Sequence, residues 1–423
     1  MNHFEARRGE LHCEDVPLRR IAEEVGTPVY VYSTATLDRH FTVFRDAFAP
    51  RAVEVAYAVK ANSNLSVLAT LARLGAGADT VSEGEIRRAL KAGVPAERIV
   101  FSGAGKTRAE IGFALAAGVG QINVESEPEL DLLIEVARGL GLQPAMAIRV
   151  NPEVGAGGHA KISTGKAETK FGVSLSEAGR LYAKAAASGA VRPVALACHI
   201  GSQIVDLQPL EDAYRTLLGL ARSLRGQGIE VAKLDLGGGL GVPYFNMPAP
   251  PPPAALAEVV DRVFDGVDIA LAFEPGRVIA ANAGVLISEV IHVHERPEGQ
   301  RFLVLDAAMN DLIRPAMYDA YHDIRPLSVA DPDAPKRAYD VVGPICETSD
   351  TFTRGRLLPE LKGGDLVAFM SAGAYGAVMS SEYNTRPLVP EVLVNGSDYA
   401  VVRPRPSYEE MLAREPLAPW LAG

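Results

Sequence analysis

The sequence predicts an α/β protein: a (β/α)8 TIM barrel over residues 34–280, and an all-β, barrel-like domain formed by 281–423 together with 1–33. Three observations carry the prediction. Apolar runs of strand character alternate with helical patterns from Val53 to Phe273, as βα units of a parallel sheet require. The runs number eight, which closes a barrel, and their even spacing favours a barrel over an open doubly wound sheet. Past Gly284 the rhythm changes, and strand-like runs follow one another with little helix between them.

Taken in order, the chain opens with a short helix, Pro17–Val25, stopped by Gly26, and a strand, Val29–Tyr32, that is surplus to the barrel and is assigned to the β domain. In Val53–Val59 bulky residues alternate with Glu54, Ala56 and Ala58, which places Lys60 on the small-residue face at the strand's end. Asn64 or Ser66 can cap the helix that follows, with Leu65, Leu68 and Leu71 as its stripe. Further strands are expected at Gly77–Val81, Ile99–Ser102, Gln121–Val124, Ala145–Val150, Pro193–His199, Val231–Leu236 and Ile269–Phe273. Helices are expected at Glu85–Ala92, Glu127–Leu140 (stopped by Gly141) and Leu210–Leu224. The Pro248–Pro253 run reads as a stiff spacer. In the second domain, Val285–Val293, Arg301–Leu305, Tyr339–Val342, Asp365–Met370, Pro390–Val394 and Tyr399–Val402 read as strands. Gly363-Gly364-Asp365 and Asn395-Gly396-Ser397 supply turns of the antiparallel kind.

Composition narrows the function. A 48% hydrophobic content suits a large core, and no run is long and apolar enough to span a bilayer. The net charge of −10 and the lack of a basic stripe argue against nucleic acid. Cys13, Cys198 and Cys346 are odd in number and far apart, giving neither a disulfide framework nor a metal cluster. With no signal-like N-terminus, this points to a reducing cytoplasm.

In a barrel, chemistry collects after strand C-terminal ends. Those positions hold Lys60, Asp79, Arg149 and Asn151, His199, the run Gly237-Gly238-Gly239-Leu240-Gly241, and Glu274-Pro275-Gly276-Arg277. A desolvated lysine is a nucleophilic amine. Glycine loops after strands seven and eight let backbone N–H groups approach a phosphate, with Arg277 adding charge. A lysine, a phosphate cradle and a strand-eight acid together suggest pyridoxal 5′-phosphate (PLP), whose aldehyde takes a lysine and whose ring nitrogen takes a carboxylate, here Glu274. His199 can stack on the ring. Asp79 can orient a neighbour such as His199, or cap the helix that begins near Gly84.

These residues carry a resemblance. Tyr57-Ala58-Val59-Lys60-Ala61-Asn62, His199-Ile200-Gly201-Ser202-Gln203, the glycine run and Glu274-Pro275-Gly276-Arg277 resemble the diaminopimelate decarboxylases of the alanine-racemase-like barrel group. Arg314-Pro315-Ala316-Met317-Tyr318, Gly343-Pro344-Ile345-Cys346-Glu347-Thr348-Ser349-Asp350 and Ala372-Gly373-Ala374-Tyr375-Gly376 continue it in order to about Pro404. His159–Gly165, Lys170-Phe171-Gly172 and Cys346-Glu347 are closer to the diaminopimelate branch than to related basic-amino-acid decarboxylases; Ser82-Glu83-Gly84 departs from the common pattern at one helix entry. The resemblance implies decarboxylation of meso-2,6-diaminopimelate to L-lysine, the last step of lysine biosynthesis. Lys60 would bind PLP covalently, His199 would stack on it and Glu274 would face its nitrogen. Asp79 would lie beside this group. Ser202, Gly237, Gly238, Gly239, Gly276, Arg277 and Tyr375 would hold the phosphate, with Arg277 and Tyr375 also near substrate. Arg314, Tyr318 and Glu347 would grip the substrate's distal end, an arginine for a carboxylate and a glutamate for an ammonium. Cys346 would donate the proton that replaces the lost carboxyl. The resemblance also implies a homodimer in which Cys346 and Glu347 complete the partner's site. Decarboxylation of ornithine, arginine or carboxynorspermidine is the alternative, and a non-catalytic PLP-binding homologue a more distant one.

Overall fold

The computed structural model describes residues 2–155, 170–244, 249–328 and 334–421. The chain divides into two units, residues 37–281 and residues 1–36 with 282–423.

In the first unit eight parallel strands close a barrel: Val53–Ala58, Gly77–Thr80, Ile99–Phe101, Gln121–Val124, Ala145–Arg149, Arg192–Ala197, Lys233–Asp235 and Ala270–Phe273. Each pairs with the next in sequence, and the last pairs with the first through Leu271↔Val53 and Phe273↔Val55. The intervening helices form where local signals are strongest. Glu127–Leu140 has Ser126 as N-cap, Pro128 in its first turn, and Gly141 ending it at φ +64°. Its stripe of Leu130, Leu133, Ile134 and Ala137 is buried, each large aliphatic contributing about 2 kcal/mol. Asn64 caps the helix Leu65–Arg73, its side chain accepting from the Ser66 N–H.

Two local expectations are corrected. Lys60 sits not on the strand but in the 3-10 turn Val59–Ala61 that follows it. Asp79 does not cap the next helix: Ser82 does, accepting from the Glu85 N–H, and Asp79 stays in its strand. The Ser82-Glu83-Gly84 variation therefore leaves an ordinary helix entry.

In the second unit a sheet runs in the order Thr351–Pro359, Lys336–Val342, Arg301–Leu305, Gly284–Glu295, Val29–Ser33, Glu391–Asn395, Asp398–Arg403. The early strand Val29–Ser33 is central, paired on both sides. The sheet is mixed rather than antiparallel throughout: Phe302↔Asp340 and Tyr30↔Glu391 belong to parallel pairs. Tight turns fix only the pairs that they join, and these two are joined by long excursions. Three short strands, Phe4–Arg7, Glu10–Cys13 and Val16–Pro17, form a small sheet ahead of the helix Leu18–Val25. The sequence reading passed them over because each is too short to show a period. Phe4, Leu11, Ile21, Val29, Val31, Val285, Ile287, Ala368, Val392 and Val394 form the core there.

Candidate active site

Small side chains make room for the site. Ala58 lies in register with Asp79, and neither it nor Ala197 fills the barrel mouth. A cavity of about 180 Å3 opens there, lined by Lys60, Val81, Ser102, Gly103, Asn123, Arg149, Phe171, Ala197, Cys198, His199 and Glu274. Lys60, His199 and Glu274, expected together, meet on one cavity. The Lys60 Nζ donates to Asp79 Oδ2 at 2.7 Å, and Asp79 is fully buried. Asp79 thus orients Lys60 rather than His199.

His199 is oriented by backbone: the Gly238 N–H donates to its Nδ1 at 3.2 Å. That bond assigns the remaining ring proton to Nε2. Burial, and then the Lys60 and Arg149 charges, hold the imidazole well below its ordinary pKa, so it is neutral at pH 7. Glu274 has the opposite shift. Burial, then the Asp235 and Asp79 charges, push its carboxyl well above the ordinary range.

The glycines permit close backbone packing. A Cβ on Gly238 would lie 2.3 Å from Glu274 O, one on Gly237 2.3 Å from Cys198 O, and one on Gly239 2.5 Å from Gly201 O. Gly276 is less restricted, its Cβ meeting Ala58 and Ala61 methyls at 3.0 Å. Beside this cradle the buried Arg277 donates to Ser202 Oγ at 3.0 and 3.2 Å and to the Tyr244 hydroxyl at 2.8 Å. Ser202 and Arg277 are therefore held together next to the glycine run.

The second unit carries the remaining candidates. Arg314 begins the short helix Arg314–Tyr318; its guanidinium donates to His322 Nε2 at 2.8 Å, and His322 Nδ1 in turn donates to Met370 O at 2.9 Å. Arg314 is buried and Tyr318 half-buried. Cys346 and Glu347 are exposed on the loop after the strand Lys336–Val342, so Cys346 is no core hydrophobe. Asp350 shapes that loop by accepting from the Met309 N–H at 2.7 Å and the Ile345 N–H at 2.6 Å. Asn384 Oδ1 accepts from the Cys346 N–H at 3.2 Å, while Tyr383 and Ser349 hydroxyls donate to Glu347. Those two bonds hold Glu347 below its ordinary pKa. Tyr375 is half-buried with φ +56°. The motif His159–Gly165 lies outside the described residues, as does Pro248.

Several site residues escaped the sequence reading. Arg149, noted only as a strand-end residue, is held by Glu125 at 2.8 Å and lies 4.9 Å over the Phe171 ring. Asn123 bonds Ser102 at 3.1 Å and reaches Glu274 at 3.4 Å. Glu85 accepts from the Val81 N–H, and burial raises its pKa to about 7. Asp235 is buried at the end of strand seven. The available signal was polarity: Asn123 and Asp235 interrupt runs that otherwise read as apolar strand.

Residues 34–281 match the family described as "Pyridoxal-dependent decarboxylase, pyridoxal binding domain". Over 422 residues the chain is 48% identical to a diaminopimelate decarboxylase of Zymomonas mobilis, covering 99% of both chains. The chain belongs to the diaminopimelate decarboxylase family. A second member, from Pseudomonas aeruginosa, is 49% identical over 419 residues, 99% of this chain and all of that one. Among solved structures, the diaminopimelate decarboxylase of M. jannaschii in co-complex with L-lysine superposes with a TM-score of 0.94 at 36% identity, over the whole of both chains. The Helicobacter pylori enzyme complexed with L-lysine gives 0.90 at 40% identity, over 94% of this chain and 98% of that one.

As a member of this family the chain is a pyridoxal-dependent decarboxylase that acts on an amino acid, and its residues fit that cofactor. A lysine amine at one end of the cavity suits the aldehyde, and a buried acid suits the ring nitrogen. The glycine cradle with Ser202 and Arg277 suits a phosphate. Among the described residues no His, Cys, Asp and Glu cluster could hold a metal ion, and no helix is long and apolar enough to cross a membrane.

Proposed function

We propose that this decarboxylase acts on meso-2,6-diaminopimelate at its D-centre, releasing carbon dioxide and L-lysine. The observation that carries the reading is Lys60, fixed by Asp79, on one cavity with His199 and the buried acid Glu274. Its likeness over the full chain to diaminopimelate decarboxylases supports the choice of substrate.

When bound, the cofactor supplies an electron sink for the pair left behind as the carboxyl departs. Lys60 holds its aldehyde end and Glu274 its ring nitrogen. His199, kept neutral and oriented by the Gly238 N–H, would stack on the ring without adding a charge that would compete for those electrons. Gly237, Gly238, Gly239, Ser202, Gly276, Arg277 and Tyr375 bind the phosphate. Arg314 and Tyr318 meet the distal carboxylate of the substrate, and Glu347 meets its distal ammonium. Glu347 suits that role because its hydrogen bonds favour the ionised form. The exposed Cys346 thiol delivers a proton to the carbon that lost its carboxyl. In this reading the protein is a cytoplasmic homodimer, and Cys346 and Glu347 serve the site of the partner subunit.

The test is turnover. Purified protein with added PLP and meso-diaminopimelate is expected to release carbon dioxide and L-lysine in equal amounts. Turnover of ornithine or arginine alone would overturn the substrate assignment.

A further inference from the structure

Two buried carboxyls stand at the ends of the last two barrel strands. Asp235 closes the strand Lys233–Asp235 and is 1% exposed; Glu274 follows Ala270–Phe273 and is 9% exposed. Asp235 is in register with Ala272, and Glu274 is two residues further on, so it points to the same face one layer up. The Glu274 carboxyl lies within hydrogen-bond reach of that of Asp235. A contact between two carboxyls is a hydrogen bond only when a proton stands between them.

The donors around the pair do not remove that need. Asp235 Oδ1 accepts from the Gly237 N–H at 3.1 Å, but its buried Oδ2 receives no N–H or O–H donor among the described residues. Glu274 Oε1 has one long contact, 3.4 Å from Asn123 Nδ2. Among the described residues, Lys60 and Arg149 face Glu274, and Lys233 faces Asp235. Each is already paired with another carboxylate: Lys60 with Asp79 at 2.7 Å, Arg149 with Glu125 at 2.8 Å, and Lys233 with Glu54 at 2.8 Å. Asp79 adds a further negative charge toward both, and the neighbouring Cys198 and Tyr214 are neutral, their own ionisation opposed by burial. Burial raises both Asp235 and Glu274.

We infer that Asp235 and Glu274 hold one proton between them, so that the pair carries a single negative charge, and that Asp235 is thereby a positioning residue for Glu274. Like charges in one dry site cannot both ionise, and a shared proton supplies a donor to a pair that, among the described residues, otherwise accepts from the Gly237 N–H and, at long range, from Asn123. The consequence for chemistry rests on the functional reading above. A pair with one charge matches one protonated ring nitrogen. Two free anions there would mismatch it, and a neutral pair would not hold the ring proton.

Infrared spectroscopy of the purified holoenzyme tests the shared proton directly. At a pH of about 8.5, carboxyls that titrate near 7, as Glu85 and Asp311 do, are ionised and silent in the carboxylic-acid region. The wild-type spectrum is expected to retain one carboxylic-acid C=O band there that shifts in D2O. That band should vanish in Asp235→Asn and equally in Glu274→Gln, because each new amide donates to the remaining carboxylate and leaves it ionised. A wild type without the band, or a band that survives either substitution, overturns the proposal. If Asp235→Asn does not fold, Glu274→Gln reads the same proton from the other side. The band is equally legible in protein stripped of PLP, so a failure of the cofactor reading would show as missing visible absorbance while the infrared result still decides the proton. In the loaded enzyme, Asp235→Asn is expected to lower kcat about tenfold with KM within about twofold. An unchanged kcat would overturn the positioning role.

Discussion

The Lys60 amine and the Asp79 carboxylate stand 2.7 Å apart, the lysine side chain about one-third exposed and the aspartate side chain wholly buried. Asp79 keeps one oxygen for this bond, while its other oxygen, Oδ1, is buried without a donor among the described residues. The pair therefore holds a flexible lysine in one place. Asp79→Asn keeps the shape but loses the charge, and it is expected to weaken PLP binding about tenfold in a visible-absorbance titration. Borohydride should still trap the cofactor on Lys60 in that variant. Lys60→Ala should abolish trapping, and a label found on another peptide would remove Lys60 from its role.

The glycine cradle predicts a graded response. Alanine at position 238 places a methyl 2.3 Å from the Glu274 carbonyl, where only backbone movement makes room. At position 276 the same methyl meets two alanine side chains at 3.0 Å. Gly238→Ala should therefore raise the PLP dissociation constant at least tenfold, through displacement of both His199 and Glu274. Gly276→Ala should raise it several times less. Equal effects of the two substitutions in the same titration would contradict the packing argument.

Tyr383 acts on Glu347 from outside the sequence motif that drew attention to it. Its hydroxyl donates to Glu347 Oε1 while Ser349 donates to Oε2 at 2.8 Å. Tyr383→Phe frees one oxygen and lets an exposed side chain sample other rotamers. The expected result is a KM for meso-diaminopimelate raised about threefold to tenfold, with kcat changed little. Steady-state assays separate the two parameters.

Asp311 gives the β unit a pH dependence of defined sign. It is 3% exposed, and burial raises its carboxyl to about 7 although the Ala308 N–H donates to it. A raised acid is a penalty absent below the unfolded value, near 4, and complete above about 7. Stability from this group is therefore lost as pH rises through that window, by at most about 4 kcal/mol. Asp311→Asn removes the titration. Urea unfolding at pH 5 and pH 8 should show the variant gaining on the wild type at the higher pH; a difference independent of pH would show that Asp311 does not titrate in that window.

Much of the barrel was legible because each unit repeats one pattern, and strand ends, once placed, name their own candidate residues. Lys60, His199 and Glu274 were found that way, and the cavity brings them together. The mixed sheet was less legible. Val29–Ser33 pairs with strands from residue 284 onward and from 391 onward, and no local period records which distant run lies beside it. Asp235 and Glu125 were missed for a related reason. Each is one polar residue within or just after an apolar strand, and its meaning lies in a neighbour on the adjacent strand.

The last prediction concerns the assembly. Cys346 is exposed on a loop braced by Asp350 and Asn384, a placement that suits a thiol presented to another surface. If that surface is the barrel mouth of a partner subunit, Lys60→Ala and Cys346→Ala damage different sites of a mixed dimer. Half of its sites then combine both defects and half combine neither. Co-expressing the two variants with different tags, and purifying for both, should recover activity approaching half that of wild type on a per-dimer basis, against almost none for either variant alone. A dimer carrying both tags but no activity would show that each chain uses its own cysteine, because every site would then lack either the lysine or the thiol.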